Sequence, residues 1–290
     1  MIVLNEVKYA EYILRTGTID KKPSSTISIL AKYYRQELAK NEQETIELID
    51  DFMSKNYPFY NKVLWQNTIT NIVKKINKYN IRKIESIEIT ESEINKIKEL
   101  KNEKLERLLF TMLCIAKTYN KTSDINNGWI NTDVNDIYKI ARVSVKQAIE
   151  KHKIIHELIV GGYLETSKKN TNMNLRVTFI DNSSPVVMNI RNLKELGYEY
   201  MNYENSSKFY RCKECGILFK RLKGSSAEYC KEHSGYQKKG NIQKNCIDCG
   251  KIIYVDSKNT KTCRCLLCQY EEDKIKHRER QRKYVDKNKK

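Results

Sequence analysis

Hydrophobic residues recur three and four positions apart through the first 120 residues, which is the period of amphipathic helices. The pattern predicts four helices, within residues 7–14, 27–38, 46–53 and 63–76. Pro23 followed by two serines, which can cap free N–H groups, indicates the start of the second helix. A longer run at residues 103–119 carries a broad apolar stripe that includes Leu108 and Met112. The N-terminal region is therefore predicted to be helical.

Short elements are predicted on either side of the longest helix. Residues 86–90 alternate between apolar and polar, which is typical of a strand. The sequence Thr90-Glu-Ser-Glu93 matches a capping box, in which the Thr and Glu side chains bond each other's backbone N–H groups at a helix start. Residues 185–190 predict another strand, and residues 191–196 predict a short helix that ends at the following glycine, Gly197.

Residues 128–182 predict a compact series of short elements. The predicted order is a strand at 128–131, a helix at 133–141, a turn at 142–144, a helix ending at Gly161, and strands at 163–166 and 175–180. Ser144 opens a second capping box, so the longer of these two helices is expected to start there, with Ile149 and His152 on its buried face. Residues 168–174 are polar and turn-prone, so the last two strands are expected to pair as a hairpin.

The order of elements from residue 102 to residue 182 resembles that of winged helix-turn-helix DNA-binding domains. The passage from Ile140-Ala-Arg-Val-Ser to Leu158-Ile-Val-Gly-Gly-Tyr-Leu-Glu carries the resemblance. It implies that the helix after the turn enters the major groove and that the hairpin tip touches the DNA backbone or minor groove. The DNA contacts that it implies are Lys146, Gln147, Lys151 and Lys153 on the helix, and Lys168 and Lys169 at the tip.

Two features depart from that family's pattern. The usual turn glycine is absent, with Arg142 near its place, and the helix after the turn is longer than in many members of the family. A domain of this shape can also serve only for packing or for binding a protein, because a fold does not fix a function. Contact with DNA and contact with a protein therefore both remain open.

Eight residues between positions 212 and 268 have the spacing of ligands for two metal ions. The two sets are Cys212, Cys215, Cys230 and His233, and Cys246, Cys249, Cys265 and Cys268. A two-residue gap lets one tight turn aim both side chains at one ion, and the longer gap holds a hairpin that returns the second pair. Gly216 and Gly250 follow the first pairs, where the chain must turn sharply. The sequence predicts two structural Zn²⁺ sites with closed shells and no catalytic metal.

Alternatives exist for these cysteines. Cys263 is also close enough to serve as a ligand of the second site, although the two-residue gap favours Cys265 with Cys268. Disulfides would need an oxidising compartment, and nine cysteines is an odd number. The first residues lack the pattern of a signal peptide. No apolar run has the length of about 18 residues that a membrane span needs. We therefore expect a cytoplasmic protein with no membrane partner.

Basic residues gather at the C-terminal end. The formal net charge is +18, and residues 201–290 hold 23 Lys and Arg against 11 Asp and Glu. Such a surplus predicts a polyanionic partner. Residues 271–290 lack an apolar stripe, so they predict a helix that is either solvated or laid along phosphates. The residues expected to meet nucleic acid there are Arg278, Arg280, Arg282 and Lys283.

The paired Cys-x-x-Cys-Gly motifs and the basic tail resemble zinc-ribbon proteins with basic C-terminal helices that occur in bacteriophages and prophages. The resemblance covers residues 209–290 and implies nucleic-acid association without naming a target. It also implies that the cytoplasm in question is that of a bacterial or phage-infected cell.

The expected fold is mainly α with small β sheets, in the α+β class. The expected regions are a helical N-terminal domain at 1–101, a winged-helix domain at 102–182, a connecting segment at 183–208, zinc ribbons at 209–240 and 241–270, and a basic tail at 271–290.

The absence of a catalytic constellation predicts a protein that is not an enzyme. The expected function is binding of double-stranded DNA, in transcription regulation or replication initiation. The alternative is a protein-interaction module that uses the zinc ribbons as docking surfaces.

Overall fold

A computed structural model describes residues 3–123, 125–167, 174–205, 208–221, 226–230, 241–250, 252–256 and 263–287 of the chain. About 54% of the chain is helical and 12% lies in small sheets, so the prediction of a mainly α fold with small β sheets is confirmed. The chain divides into two compact units. Unit 1 comprises Met1–Glu11 and Asn80–His233, and unit 2 comprises Tyr12–Tyr79 and Ser234–Lys290.

The predicted N-terminal helices are all present. They are α1 (Glu6–Thr16), α2 (Pro23–Lys32, continued by a π-helical turn at Tyr33–Glu37), α3 (Glu42–Asn56) and α4 (Lys62–Lys75). Pro23 occupies the first turn of α2 without a serine cap, because Lys22 stands at the cap position. The helices α2, α3 and α4 pack on one another in unit 2. Their shared core is apolar, with Ile27, Ile49 and Ile69 almost fully buried.

The longest helix before residue 200 lies at the centre of the hydrophobic core of unit 1. Following the strand β1 (Ile87–Thr90) and the helix α5 (Glu91–Lys98), α6 runs over Glu103–Thr122. Residues 108–118 of α6 are buried on every side, as in a helix enclosed by its neighbours. The predicted capping box at Thr90 and Glu93 is confirmed.

Glu93 also forms a buried ion pair with α6. The Lys117 ammonium lies 2.8 Å and 2.9 Å from the two oxygens of the Glu93 carboxylate. The backbone N–H of Asp181 donates to the same carboxylate at 3.0 Å. Each charge is therefore matched by a partner, which is the condition for keeping an ion pair inside a protein.

The next elements follow the predicted order. They are β2 (Trp129–Ile130), α7 (Val134–Ile140), α8 (Ala148–Val160), β3 (Leu164–Thr166), β4 (Leu175–Val177) and β5 (Val186–Ile190). The strands β2, β4 and β3 form one antiparallel sheet in that order, and β5 pairs with β1. The hairpin tip at residues 168–173 lies outside the described residues.

The helix α8 differs from its prediction. It begins at Ala148, so Lys146 precedes it and Gln147 is its cap residue. Arg142 has a positive φ of 54° and takes the place of the usual turn glycine. Residues 143–147 are not helical, and the backbone of Gln147 is extended, so the helix starts later than predicted. The side chains of Ile149 and His152 are exposed, contrary to prediction, whereas Ile155, expected on the same face, is buried.

The helix α9 also differs from its prediction. It covers Leu196–Glu204, so residues 191–196 are not the predicted helix and Gly197 lies inside a helix rather than ending one. A Cβ atom at Gly197 would stand 2.1 Å from the carbonyl oxygen of Ala141. The glycine therefore allows α9 to approach the turn between α7 and α8. Nothing local in the sequence marks such a contact.

This contact predicts a large effect for one added methyl group. We expect Gly197→Ala to lower the free energy of unfolding by roughly 1–3 kcal/mol or more, because the backbone of Ala141 must move. Gly161→Ala is the matched control. Its φ of −70° suits alanine, and the added Cβ would meet the side-chain ring of Tyr163 at 2.8 Å and the Glu157 carbonyl oxygen only at 3.4 Å. Urea unfolding followed by circular dichroism measures both variants. Equal stabilities would contradict the packing described here.

Candidate metal centres and basic helix

Two hairpins in the C-terminal third carry the cysteine pairs. They are formed by β6 (Phe209–Arg211) with β7 (Leu218–Lys220) and by β8 (Asn241–Asn245) with β9 (Ile252–Asp256), and both are antiparallel. The last element, α10 (Leu266–Lys287), begins directly after Cys265. The first cysteine pair of each motif lies in the turn of its hairpin. Cys212 and Cys215 lie between β6 and β7, and Cys246 and Cys249 lie between β8 and β9.

The second cluster contains four sulfur atoms. The Sγ atoms of Cys246, Cys249, Cys265 and Cys268 all lie within 4.8 Å of one another. The Cys249 and Cys265 sulfurs are 3.7 Å apart. With metal–sulfur bonds of about 2.3 Å, two ligands of a tetrahedral ion are about 3.8 Å apart, whereas bonded sulfurs lie about 2.05 Å apart. None of the nine cysteines, all of which are among the described residues, forms a disulfide, and this cluster fits a tetrahedral cation.

Cys263 is not a member of this cluster. Its carbonyl oxygen accepts the N–H of Ile247 at 3.0 Å, so its backbone helps to hold the turn that carries Cys246. The cluster thus contains Cys265, as the two-residue gap predicted.

Backbone N–H groups stabilise negative charge on the sulfurs of this cluster. The N–H of Cys265 lies 3.2 Å from the Cys246 sulfur and is the main cause that lowers the pKa of the Cys246 thiol to about 6. The pKa of Cys268 is raised, chiefly by the neighbouring sulfurs of Cys265 and Cys249. Thiols this close share few hydrogen-bond donors, so they cannot all carry negative charge. A cation shared by the sulfurs would allow all of them to be deprotonated.

The first cluster contains three described sulfur atoms. The Sγ atoms of Cys212, Cys215 and Cys230 also lie within 4.8 Å of one another, with Cys215 and Cys230 at 3.7 Å. Burial raises the pKa of Cys212, but hydrogen bonds from backbone N–H groups, that of Cys230 foremost, outweigh it and lower the pKa to about 6. His233, the predicted fourth ligand, lies outside the described residues. Both clusters therefore could hold metal ions.

The two Cys-x-x-Cys-Gly turns, here termed knuckles, share one backbone conformation. Gly216 and Gly250 have φ angles of 68° and 69°, which side chains with a Cβ rarely adopt. Their N–H groups bond the carbonyls of Cys212 and Cys246 at 2.8 Å and 2.9 Å. A Cβ at either glycine would meet nothing within 4 Å, so conformation rather than space requires the glycine.

Side-chain contacts connect the first cluster to α9. The Arg211 guanidinium forms two hydrogen bonds, of 3.0 Å and 2.9 Å, with the Glu199 carboxylate, and it also donates to the Gly216 carbonyl at 3.2 Å. The rings of Tyr198 and Phe209 are 5.3 Å apart. Sequence reasoning missed this connection, because an Arg and a Glu twelve positions apart carry no signal of a pair.

The second cluster fixes the start of α10. Arg264 pairs with Asp248 at 2.6 Å and with Glu272 in the second turn of the helix. The N–H of Gln269 bonds the carbonyl of Cys265 at 2.9 Å. The direction of α10 is therefore set by the knuckle rather than by burial of an apolar stripe.

The predicted basic residues of α10 are exposed where described. Arg278, Arg280 and Arg282 are exposed along the helix, and so are two lysines, Lys274 and Lys276. The side chain of Lys283 lies outside the described part. Positions 274, 278 and 282 share one side of the helix, and positions 276 and 280 share the roughly opposite side, because residues two apart differ by about 200°. Cations therefore line two sides of α10.

The predicted contacts on α8 have a mixed outcome. Lys146, Gln147 and Lys153 are exposed. Lys151 is used internally, since its ammonium donates to the Asn135 side chain at 2.7 Å and lies 5.6 Å from the centre of the Tyr138 ring. Lys168 and Lys169 lie outside the described residues. Contact of any of them with nucleic acid stays a prediction.

Comparisons with protein-family models, with curated proteins and with solved structures gave no match for this chain. Among the described residues, no helix combines the length and the apolar character needed to cross a membrane.

The sulfur geometry predicts which cysteine of the last motif binds metal. We expect the purified chain to carry two metal ions and the Cys265→Ser variant to carry one, because a shell with one sulfur missing binds metal weakly. Cys263→Ser, two positions away, is the matched control and should keep both ions. Elemental analysis against protein concentration counts the ions. Loss of an ion from the Cys263 variant alone would overturn the assignment.

Proposed function

We propose that the two clusters hold structural zinc and that the chain is a zinc-dependent nucleic-acid-binding protein. Cysteine sulfur at this spacing suits a soft, tetrahedral ion such as Zn²⁺. Four sulfurs at the second cluster close the shell, which leaves no open position for a reacting water. The metals would therefore act in folding rather than in catalysis, and the proposed protein is not an enzyme.

The basic helix α10 is the observation that carries the nucleic-acid proposal. Residues 274–283 contain six Lys and Arg and one Glu, whereas residues 271–273 are all acidic. The cations are exposed over the described side chains, and no apolar stripe gives the helix another reason to be covered. A helix with cations on two sides can meet both phosphate walls of a groove. We propose duplex DNA as the partner, in transcription regulation or replication initiation.

A second candidate function rests on α8. Its exposed surface includes two large aliphatic side chains, Ile149 and Val160, which are 62% and 73% exposed. The charged residues exposed on and beside it are balanced: Lys146, Glu150, Lys153 and Glu157. A neutral, partly apolar face suits a protein better than a phosphate backbone. We propose α8 as a protein-docking face if DNA binding proves to be independent of it.

The localisation and the resemblances stay proposals as well. A cytoplasmic setting would keep these thiols reduced and available for metal. Membership of a phage-type group of winged-helix and zinc-ribbon proteins stays a hypothesis.

The salt dependence of DNA binding tests the role of α10. If five or six cations of α10 displace counterions, the logarithm of duplex affinity should fall with the logarithm of salt concentration with a slope of about −5. The triple variant Arg278→Ala/Arg280→Ala/Arg282→Ala should reduce that slope by about 3, because three phosphate contacts are lost. Fluorescence anisotropy with a labelled duplex at several salt concentrations measures it.

Two controls separate the alternatives. Lys21→Ala/Lys22→Ala/Lys78→Ala removes the same charge from exposed positions elsewhere in unit 2 and should leave the slope nearly unchanged. Lys146→Ala/Lys153→Ala tests α8 directly. A slope that responds to the α8 variant but not to the α10 variant would refute the assignment to α10. Absence of any duplex binding at low salt would refute the nucleic-acid proposal.

A further inference from the structure

Unit 2 exposes a group of aromatic rings beside the start of α10. The rings of Tyr57, Phe59, Trp65 and Tyr270 form this group, which we term the aromatic platform. Tyr57 lies 5.9 Å from Phe59 and 6.1 Å from Trp65, both edge to face. Phe59 lies 5.3 Å from Tyr270, in the first turns of α10. The loop between α3 and α4 and the base of the basic helix thus contribute to one surface.

The loop that carries Phe59 is held firmly. The Tyr60 hydroxyl donates to the Asp50 carboxylate, which also pairs with Lys62 at 2.7 Å. The backbone N–H of Tyr60 bonds the carbonyl of Tyr57 at 2.9 Å. A ligand that stacks here therefore meets rings that are already ordered, and little conformational entropy is lost on binding.

The platform remains open to solvent. Phe59 is 41% exposed and Tyr270 is 52% exposed, and the neighbouring Val63 and Leu64 are 84% and 76% exposed. A ring pair that served only to pack α10 on the helices would bury most of its area, as aromatic rings in cores do. Exposed rings that pack on each other, as Phe59 and Tyr270 do, indicate an interaction site.

The charges around the platform indicate what binds there. The Lys274 ammonium lies 5.9 Å from the centre of the Tyr270 ring, and the further cations of α10 follow along the helix. Rings beside cations match unpaired nucleotides, whose bases stack on the rings while their phosphates meet the lysines and arginines. A duplex offers the same phosphates but keeps its base faces inside the stack.

We propose that the aromatic platform binds unpaired bases of single-stranded nucleic acid. This inference rests on the proposed function, in which α10 binds phosphates. The strand would continue from the rings onto the cations beyond Lys274. The chain would then recognise a place where a duplex opens, with stacking at the platform and phosphate contacts along α10.

A comparison of two strands with equal charge tests the proposal. The probes are a labelled oligothymidylate and a sugar-phosphate strand of the same length without bases. The wild-type chain should bind the oligothymidylate roughly tenfold or more tightly, because stacking on an aromatic ring favours each bound base. The double variant Phe59→Leu/Tyr270→Leu keeps apolar side chains but removes the two exposed rings of the platform, so its preference for the oligothymidylate should fall to about twofold or less. Tyr79→Leu removes a tyrosine that is 62% exposed elsewhere in unit 2 and should keep the preference.

A second readout comes from Trp65, the platform ring that lies 6.1 Å from Tyr57. In a Trp129→Phe background Trp65 is the sole tryptophan, and its fluorescence should change with oligothymidylate but not with the strand without bases. Equal wild-type affinities for the two strands would overturn the proposal. So would an equal loss of duplex and single-strand affinity in the double variant, because the rings would then only position α10. Failure of both strands and of the labelled duplex to bind at low salt would instead refute the proposed function.

Discussion

Seven thiols gathered into two small groups impose the main physical constraint on the C-terminal third of this protein. Within each group a pair of sulfur atoms lies 3.7 Å apart, and backbone N–H groups lower the pKa of the first thiol, Cys212 or Cys246, to about 6. Negative sulfurs at that distance repel one another unless a cation lies among them. Hairpins of this size also bury too little apolar surface to fold alone. The direction of α10, which starts inside the second group, therefore depends on the same condition.

The first cluster is built into unit 1 rather than appended to it. Glu199 on α9 holds Arg211, whose guanidinium also reaches the knuckle at Gly216. On another side of α9, Gly197 allows close contact with the turn before α8, and the Arg142 guanidinium pairs with Glu195. The helix α9 is thus linked through Arg211 to the cysteine turn at Gly216 and contacts the turn before α8. Disorder at the cluster would remove a support from that turn as well.

Local signals in the sequence predicted the elements that depend on local physics. Helical periodicity located α1 to α4 and α6, the capping box at Thr90 was confirmed, and the cysteine spacing selected Cys265 over Cys263. Interactions between distant segments could not be predicted in this way. From the sequence, Gly197 is expected to end a helix, and only its distance from Ala141 shows why a glycine is needed there. Lys151 is expected to be a free cation, and only the structure shows its hydrogen bond with Asn135. The delayed start of α8 depends on a non-glycine residue, Arg142, in a left-handed turn, which no propensity indicates.

The two helices with the greatest functional interest have opposite surface chemistry. The exposed charges on and beside α8 are balanced and accompany Ile149 and Val160, whereas α10 carries cations on two sides and joins an aromatic surface at Tyr270. A resemblance to winged helix-turn-helix domains concerns the order of elements, and that order fixes neither the charge nor the polarity of the exposed face. Affinity for a polyanion rises with the number of exposed cations that can reach its phosphates. Surface chemistry therefore supports α10 as the phosphate-binding element and leaves α8 suited to a protein surface, although α8 is the helix that the resemblance selects.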